Sequence, residues 1–71
     1  MKIFSFNVNG IRAIVGKSFI VDMQQEDADI ICLQETKATV DQVKTAVAPL
    51  DAYTVFANEA DKKGYSGTAI L

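Results

Sequence analysis

The sequence predicts an α/β fold built on a mixed β-sheet, and three features of its 71 residues indicate it. Strand-like segments alternate with amphipathic segments of helical period along most of the chain. A short, continuously apolar segment at residues 29–33 is typical of a strand in a parallel sheet. The last two strand-like segments have no helix between them, which predicts an antiparallel pair at that end.

The first two strands are predicted from their apolar patterns. The first covers residues 2–8, where Phe4, Phe6 and Val8 share one face, and the Asn-Gly pair that follows ends it. The second covers residues 29–33, and its continuous apolar character predicts burial on both faces.

Two helices are predicted between the strands. One begins after Ser18, a residue type that commonly caps helices, and runs to about Glu26. The other begins at a capping box formed by Thr39 and Gln42, and Pro49 ends it. The apolar residues at helical spacing are Phe19, Ile20 and Met23 in the first, and Val40, Val43, Val47 and Leu50 in the second.

The remaining strands are predicted over residues 52–57 and 65–71, joined by a polar, hairpin-like connection. In the third strand, positions 53, 55 and 57 face one way. The first βαβ unit is expected to be right-handed with parallel strands. Two helices cannot cover both faces of a four-stranded sheet, so residues 1–71 are expected to form an incomplete N-terminal portion of a single larger domain.

The composition excludes several classes of protein. A 49% hydrophobic and 23% charged chain is globular rather than disordered, and its net charge of −2 argues against a strongly basic nucleic-acid-binding module. One cysteine and no histidine exclude an internal disulfide and a Cys/His zinc site. No apolar stretch is long enough to span a membrane, and no signal peptide is evident. With the lone Cys32 in an apolar run, these features predict a cytoplasmic protein without a membrane partner.

Polar side chains cluster where the first two strands end, at residues 7–10 and 34–37. Ligands of α/β proteins bind beyond the carboxyl ends of parallel strands, so Asn7 and Glu35 are expected to lie close together. A carboxylate with amide oxygens and water suits Mg²⁺. Two simpler interpretations stay open: Glu35 as a solvated carboxylate, and the Asn-Gly pair as an ordinary turn.

Three motifs resemble those of one enzyme family. Residues 6–13 read FNVNGIRA, residues 33–37 read LQETK, and residues 64–67 read GYSG. In this order and spacing they closely resemble the exonuclease III family of abasic-site endonucleases, within the endonuclease/exonuclease/phosphatase superfamily. The resemblance covers the chain nearly end to end and separates it from the lipid and inositol phosphatases of that superfamily. It implies the N-terminal part of a four-layer α/β sandwich like that of deoxyribonuclease I.

The resemblance also implies roles for the residues at the strand ends. Glu35 matches a Mg²⁺ ligand, and Asn7 matches an active-site asparagine near the metal and the scissile phosphate, which makes Asn7 both the catalytic candidate and a candidate metal ligand. Asn9 matches a position that helps to hold the metal region. It ranks second to Glu35 because a neutral amide is a weaker ligand than a carboxylate.

A second group of residues matches positions where the family contacts DNA. Lys37 is expected to tune the charge of the metal site and to approach the nucleic acid. Arg12, together with Gly64 and Tyr65 of the GYSG turn, matches contacts to the DNA backbone, which require cations and hydrogen-bond donors. The simpler interpretations are a surface lysine for Lys37 and a packed strand aromatic for Tyr65.

The implied activity is hydrolysis of DNA phosphodiester bonds 5′ to abasic sites, with 3′–5′ exonuclease action, and Mg²⁺ or alternatively Mn²⁺ as cofactor. The implied partner is double-stranded DNA with an abasic site or a 3′ end, bound by a monomeric full-length protein. Relatives use a His-Asp pair from later segments, and this sequence has no histidine, so the chain alone is predicted to be inactive. Two alternatives are a superfamily phosphatase acting on a small phosphoester, and a non-catalytic metal- or DNA-binding remnant.

Overall fold

The computed structural model describes residues 1–59 and 66–71, in which four strands form one mixed sheet. The elements are β1 (Ile3–Asn7), α1 (Ile11–Ile14), α2 (Phe19–Glu26), β2 (Ile30–Gln34), α3 (Val40–Ala46), β3 (Phe56–Asn58) and β4 (Thr68–Ile70). The strand order is β1-β2-β4-β3, with β1 parallel to β2 and β4 antiparallel to both of its neighbours. The predicted α/β class, the parallel first pair and the antiparallel last pair are confirmed.

The hydrophobic core lies between one face of this sheet and the helices. Ile31 and Leu33 of β2 are completely buried there, as are Ile11 of α1 and Val43 of α3. Each such side chain contributes about 1.5–3 kcal/mol when it is removed from water. The core therefore fixes β2 at the centre of the fold, directly before the polar residues that follow it.

The opposite face of the sheet remains accessible. Ile3, Phe56 and Ile70 point to this side and are 61, 68 and 50% exposed. The residues of β2 on the same side are half-buried: Ile30, Cys32 and Gln34. The prediction that the second strand is buried on both faces is therefore wrong in this structure, because the described helices pack against one face of the sheet.

Helix α3 begins as its sequence predicts. The backbone N–H of Gln42 donates to Thr39 Oγ1 at 3.1 Å, and the backbone N–H of Thr39 donates to Gln42 Oε1 at 2.9 Å. This capping box satisfies two amides that the first helical turn would otherwise leave without partners. The helix ends at Ala46, ahead of Pro49.

Helix α2 has the predicted bounds and buries Phe19 and Met23, but its first turn differs from the prediction. The Ser18 side chain makes no capping hydrogen bond with the helix backbone. Its hydroxyl donates instead to Asp22 Oδ2 at 2.9 Å. The predicted side-chain cap is therefore wrong, because a carboxylate one turn along the helix takes the hydroxyl.

The last two strands are shorter than predicted. β3 begins at Phe56 rather than residue 52 because the chain is still turning after α3, where the Tyr53 N–H donates to the Leu50 carbonyl at 3.2 Å. β4 begins at Thr68, and residue 65 of its predicted range lies outside the described residues. Among the residues described, no helix is both long and apolar enough to cross a membrane.

Candidate functional site

The ends of β1 and β2 lie side by side, and backbone hydrogen bonds continue beyond both strands. We call residues 8–11 the first turn and residues 34–37 the second turn. The amides of Val8, Gly10 and Ile11 donate to the carbonyls of Gln34, Glu35 and Thr36 at 3.0, 2.8 and 2.9 Å. The two turns therefore form one continuous unit at the carboxyl edge of the parallel pair.

The side chains of Asn7 and Glu35 meet at this edge, as the strand order predicts. The Asn7 Nδ2 group donates a hydrogen bond to Glu35 Oε2. The Asn7 Oδ1 atom accepts from the backbone N–H of Asn9 at 3.0 Å. These two bonds use both ends of the Asn7 amide and fix its orientation. No other residue in the described ranges donates to the Glu35 carboxylate, so its Oε1 atom is available to a ligand.

Two cationic side chains lie beside this pair. Lys37 Nζ donates to Asn9 Oδ1 at 2.6 Å, so the lysine and the second asparagine also meet across the two turns. Arg12, on the short helix α1, donates from Nη2 to the Lys37 carbonyl at 3.2 Å. The site thus carries one carboxylate, two amides and two cations within a single hydrogen-bonded unit.

The backbone of the two turns is unusual in its dihedral angles. Asn9, Glu35 and Lys37 have φ values of 48, 53 and 51°, in the left-handed region that non-glycine residues rarely adopt. Each such residue costs of order 1–3 kcal/mol unless its surroundings hold it in place, and such residues concentrate at functional sites. The concentration of three of them here supports a functional role for this edge of the sheet.

The predicted DNA-contact turn at residues 64–67 is described only in its second half. Gly64 and Tyr65 lie outside the described residues. The carbonyls of Ser66 and Gly67 accept the backbone N–H groups of Lys37 and Thr36 at 2.7 and 3.2 Å. The end of the GYSG motif therefore lies directly against the second turn.

A family comparison matches nearly the whole chain. Residues 4–71 match the model of the endonuclease/exonuclease/phosphatase family. The chain belongs to this family. The predicted resemblance to its exonuclease III members is confirmed by relatives that share the full length of the chain.

Two curated relatives and one solved structure show which family members are similar. An exodeoxyribonuclease of Bacillus subtilis (strain 168) is 55% identical over 72 residues, covering 100% of this chain and 27% of the relative. A DNA-(apurinic or apyrimidinic site) endonuclease of Dictyostelium discoideum is 39% identical, covering 100% of this chain and 19% of the relative. The structure of an AP endonuclease from Archaeoglobus fulgidus superposes with a TM-score of 0.81 at 34% identity, covering 99% of this chain and 26% of that one.

These likenesses confirm the fold that the motifs imply, a deoxyribonuclease-I-like α/β architecture. The chain spans about a quarter of the length of the Bacillus subtilis relative and of the Archaeoglobus fulgidus structure.

The donor atoms at this edge fit a Mg²⁺ ion of the kind the family implies. Mg²⁺ commonly binds one or two carboxylates and keeps several waters or phosphate oxygens, and Glu35 Oε1 is such a hard oxygen donor. Among the described residues, no group of three or more His, Cys, Asp or Glu side chains is placed to hold a metal ion, and Glu35 is the one carboxylate of the first and second turns. The amide oxygens of Asn7 and Asn9 each accept one hydrogen bond at present, which leaves each of them a second lone pair for the ion.

Two features of the site are absent from the sequence predictions. Helix α1, which carries Arg12, is additional to the two helices that the sequence predicts, although Ile11, Ile14 and Val15 follow Gly10 at helical spacing. Thr36 was grouped with the polar residues after β2, yet its side chain is completely buried. Its burial has no local signal, because the group that covers it belongs to a distant segment.

Proposed function

We propose that this chain provides the glutamate side of the active site of a DNA-repair nuclease of exonuclease III type. The whole protein would hydrolyse DNA phosphodiester bonds 5′ to abasic sites and remove nucleotides from 3′ ends, with Mg²⁺ or Mn²⁺. One observation carries the proposal: Asn7 donates to the Glu35 carboxylate at the joined ends of two parallel strands. The names of the similar proteins, an exodeoxyribonuclease and AP endonucleases, support the choice of substrate.

Glu35 is the proposed metal ligand, and the Asn7 side chain holds the Glu35 carboxylate in place. The Asn7 amide binds Oε2, which restricts rotation of the carboxylate and leaves Oε1 for a cation. When bound, Mg²⁺ would supply Lewis-acid stabilisation of the charge that develops on the phosphate and the leaving oxygen. Asn7 is also the proposed catalytic residue of this chain, because its amide contacts the carboxylate that would hold the metal.

Lys37 and Arg12 are the proposed phosphate contacts. Asn9 holds the Lys37 ammonium at 2.6 Å, and Arg12 reaches the backbone of the same residue. Both cations therefore belong to the same pair of turns as Glu35, where a polyanionic strand would need compensation of its charge. We propose backbone contacts for Tyr65 and Gly64 from their place in the GYSG motif.

We propose that the chain by itself does not catalyse the reaction. Attack on a phosphodiester requires a group that takes a proton from water, and no histidine is present to act as that base. The test is incubation of the chain with an abasic-site duplex and Mg²⁺, beside the Glu35→Ala variant. We expect no incision above that variant; incision well above it would contradict the proposal.

A chimera tests whether residues 1–71 can provide the glutamate side of an active nuclease. Residues 1–71 would replace the aligned segment of the Bacillus subtilis exodeoxyribonuclease, which is 55% identical. We expect the chimera to cut an abasic-site duplex in the presence of Mg²⁺. Glu35→Gln should abolish this, because an amide of nearly the same shape lacks the negative charge. A folded chimera that does not cut the abasic-site duplex, or whose activity is unchanged by Glu35→Gln, would contradict the proposal.

A further inference from the structure

Thr36 and Gly67 are in close contact beneath the candidate site. The Thr36 side chain is completely buried, whereas Glu35 before it is exposed and Lys37 after it is half-buried. A Cβ atom built on Gly67 would lie 2.5 Å from Thr36 Oγ1 and 3.3 Å from the Asn58 carbonyl oxygen. No side chain fits at position 67 while Thr36 keeps its place.

The same segment is held by backbone hydrogen bonds on both of its sides. On one side, the carbonyls of Glu35 and Thr36 accept the amides of Gly10 and Ile11. On the other side, the amides of Thr36 and Lys37 donate to the carbonyls of Gly67 and Ser66, as described above. The second turn is therefore fixed between two other segments, and Thr36 is its buried side chain.

The backbone conformations of the two residues beside Thr36 determine where their side chains lie. Glu35 and Lys37 both have positive φ values, 53 and 51°, which place their side chains at Asn7 and Asn9. Relaxation of either residue to an ordinary conformation would turn its side chain away from its partner. The close contact between Thr36 and Gly67 leaves little space for such a rearrangement.

We propose that Thr36 and Gly67 are positioning residues that set the places of the Glu35 carboxylate and the Lys37 ammonium through steric packing. The hydroxyl of Thr36 makes no hydrogen bond with any of the described residues, so its contribution there is its volume. The importance for cation binding rests on the proposed function, whereas the effect on side-chain position does not. The two can be measured separately in the 71-residue chain.

The first measurement follows position by NMR, through the side-chain amide signal of Asn7 and the backbone amide signal of Lys37. Gly67→Ala should shift both signals, because the added methyl group displaces Thr36. Gly16→Ala is the neutral control, since its Cβ would meet only the Ala13 carbonyl at 3.4 Å, an ordinary contact. Gly10→Ala is the control for backbone strain, because its φ of 101° is similar to the 92° of Gly67 but no atom lies within 4 Å of the added Cβ.

The second measurement tests whether the Thr36 side chain and a methyl group at position 67 compete for the same space. In the double variant Thr36→Ala/Gly67→Ala, the new methyl group occupies the space that the threonine vacates. We expect the Asn7 and Lys37 signals to return towards their original positions. When Thr36→Ala is combined with Gly10→Ala instead, the Asn7 and Lys37 signals should not return towards their original positions. Absence of rescue, or equal rescue in both backgrounds, would overturn the proposal.

The third measurement uses Mn²⁺ as a paramagnetic probe of the site. We expect Mn²⁺ to broaden the signals of residues 7–9 and 35–37 first, and Gly67→Ala to weaken this binding about tenfold, as changes beside a metal ligand commonly do. If Mn²⁺ does not bind even the unmodified chain, the proposed role of Glu35 as a metal ligand in this chain fails, while the NMR rescue still tests the positioning pair. Unchanged Mn²⁺ affinity in Gly67→Ala would overturn the role of the pair in cation binding.

A pair of threonine variants keeps the proposal testable if Gly67→Ala does not fold. Thr36→Val retains the volume and removes the hydroxyl, whereas Thr36→Ala removes the volume as well. We expect Thr36→Val to keep the Asn7 signal and the Mn²⁺ affinity, and Thr36→Ala to change both. Equal behaviour of the two variants, whether both unchanged or both altered, would overturn a role based on packing.

Discussion

The side-chain amide of Asn7 donates a hydrogen bond to the Glu35 carboxylate, although the two residues are 28 positions apart in the sequence. The contact exists because β1 and β2 are parallel neighbours whose last residues, Asn7 and Gln34, are paired. Glu35 follows directly, in a left-handed conformation that directs its carboxylate back to Asn7. The position of the proposed metal ligand is thus a property of strand register, and several measurable consequences follow from it.

Asn7→Ala should weaken binding of Mn²⁺ by about tenfold or more, because loss of an outer hydrogen bond leaves the ligating carboxylate without orientation. The measurement is the paramagnetic broadening titration on the 71-residue chain. Asn58→Ala is the matched control, since Asn58 lies in the same row across the sheet, reached through Gln34 and Thr68. Equal affinities in the two variants would contradict the role of Asn7.

Lys37→Gln should make DNA binding less dependent on salt. A lysine that contacts one phosphate contributes about 0.9 to the slope of log K against log salt concentration. We expect the slope for duplex binding by the chimera to fall by about that amount. Lys44→Gln, in the last turn of α3 and exposed, should leave the slope unchanged. An unaltered slope for Lys37→Gln would exclude the phosphate contact.

Thr39→Ala should lower the free energy of unfolding by about 1 kcal/mol, because it removes the side chain that accepts the Gln42 N–H. For a domain of this size, that corresponds to a Tm lower by about 4–8 °C. Circular dichroism during heating is the measurement. Thr45→Ala, exposed in α3, should change Tm little, and an equal fall in both variants would argue against a capping effect.

Ile31→Ala should leave most of the chain unfolded. The side chain is completely buried, and such a truncation costs about 2–5 kcal/mol. A single core in a chain of this size rarely supplies more than about 3–5 kcal/mol. Ile31→Val should cost only about 0.5–1.5 kcal/mol. Ile3→Ala is the control because Ile3 is 61% exposed, and urea denaturation that ranks it with Ile31→Ala would contradict this account.

The features that the sequence predicts well are those whose cause is local or follows from strand order. The capping box needs only Thr39 and Gln42, so four consecutive residues contain all the information. The meeting of Asn7 and Glu35 follows from two strand patterns together with the rule that the ends of neighbouring parallel strands coincide. Neither prediction depends on how distant segments pack.

The features that the sequence does not predict depend on distant or competing partners. Serine is a residue type that commonly caps helices, but the Ser18 hydroxyl donates its hydrogen bond to Asp22 instead. The incomplete burial of one face of β2 depends on which segments pack against the sheet, and the apolar pattern of β2 does not indicate those segments. Thr36 resembles its polar neighbours in sequence and differs only because Gly67 closes over it. Helix α1 is too short for its period to stand out from the adjoining turn.

The hydrogen bond from Gly10 to Glu35 also affects the chemical ageing of the protein. Asn-Gly pairs deamidate when the glycine nitrogen attacks the side-chain carbonyl carbon of asparagine and ammonia leaves; water then opens the ring to aspartate or isoaspartate. In the folded chain, the Gly10 N–H donates to the Glu35 carbonyl at 2.8 Å, and the 2.6 Å bond from Lys37 holds the Asn9 side chain in one orientation, so both bonds oppose the rearrangement that the attack requires. Peptide mapping by mass spectrometry should therefore find slower deamidation of Asn9 in buffer than in urea. The fold that assembles the site would therefore also lower the rate at which Asn9 is chemically degraded.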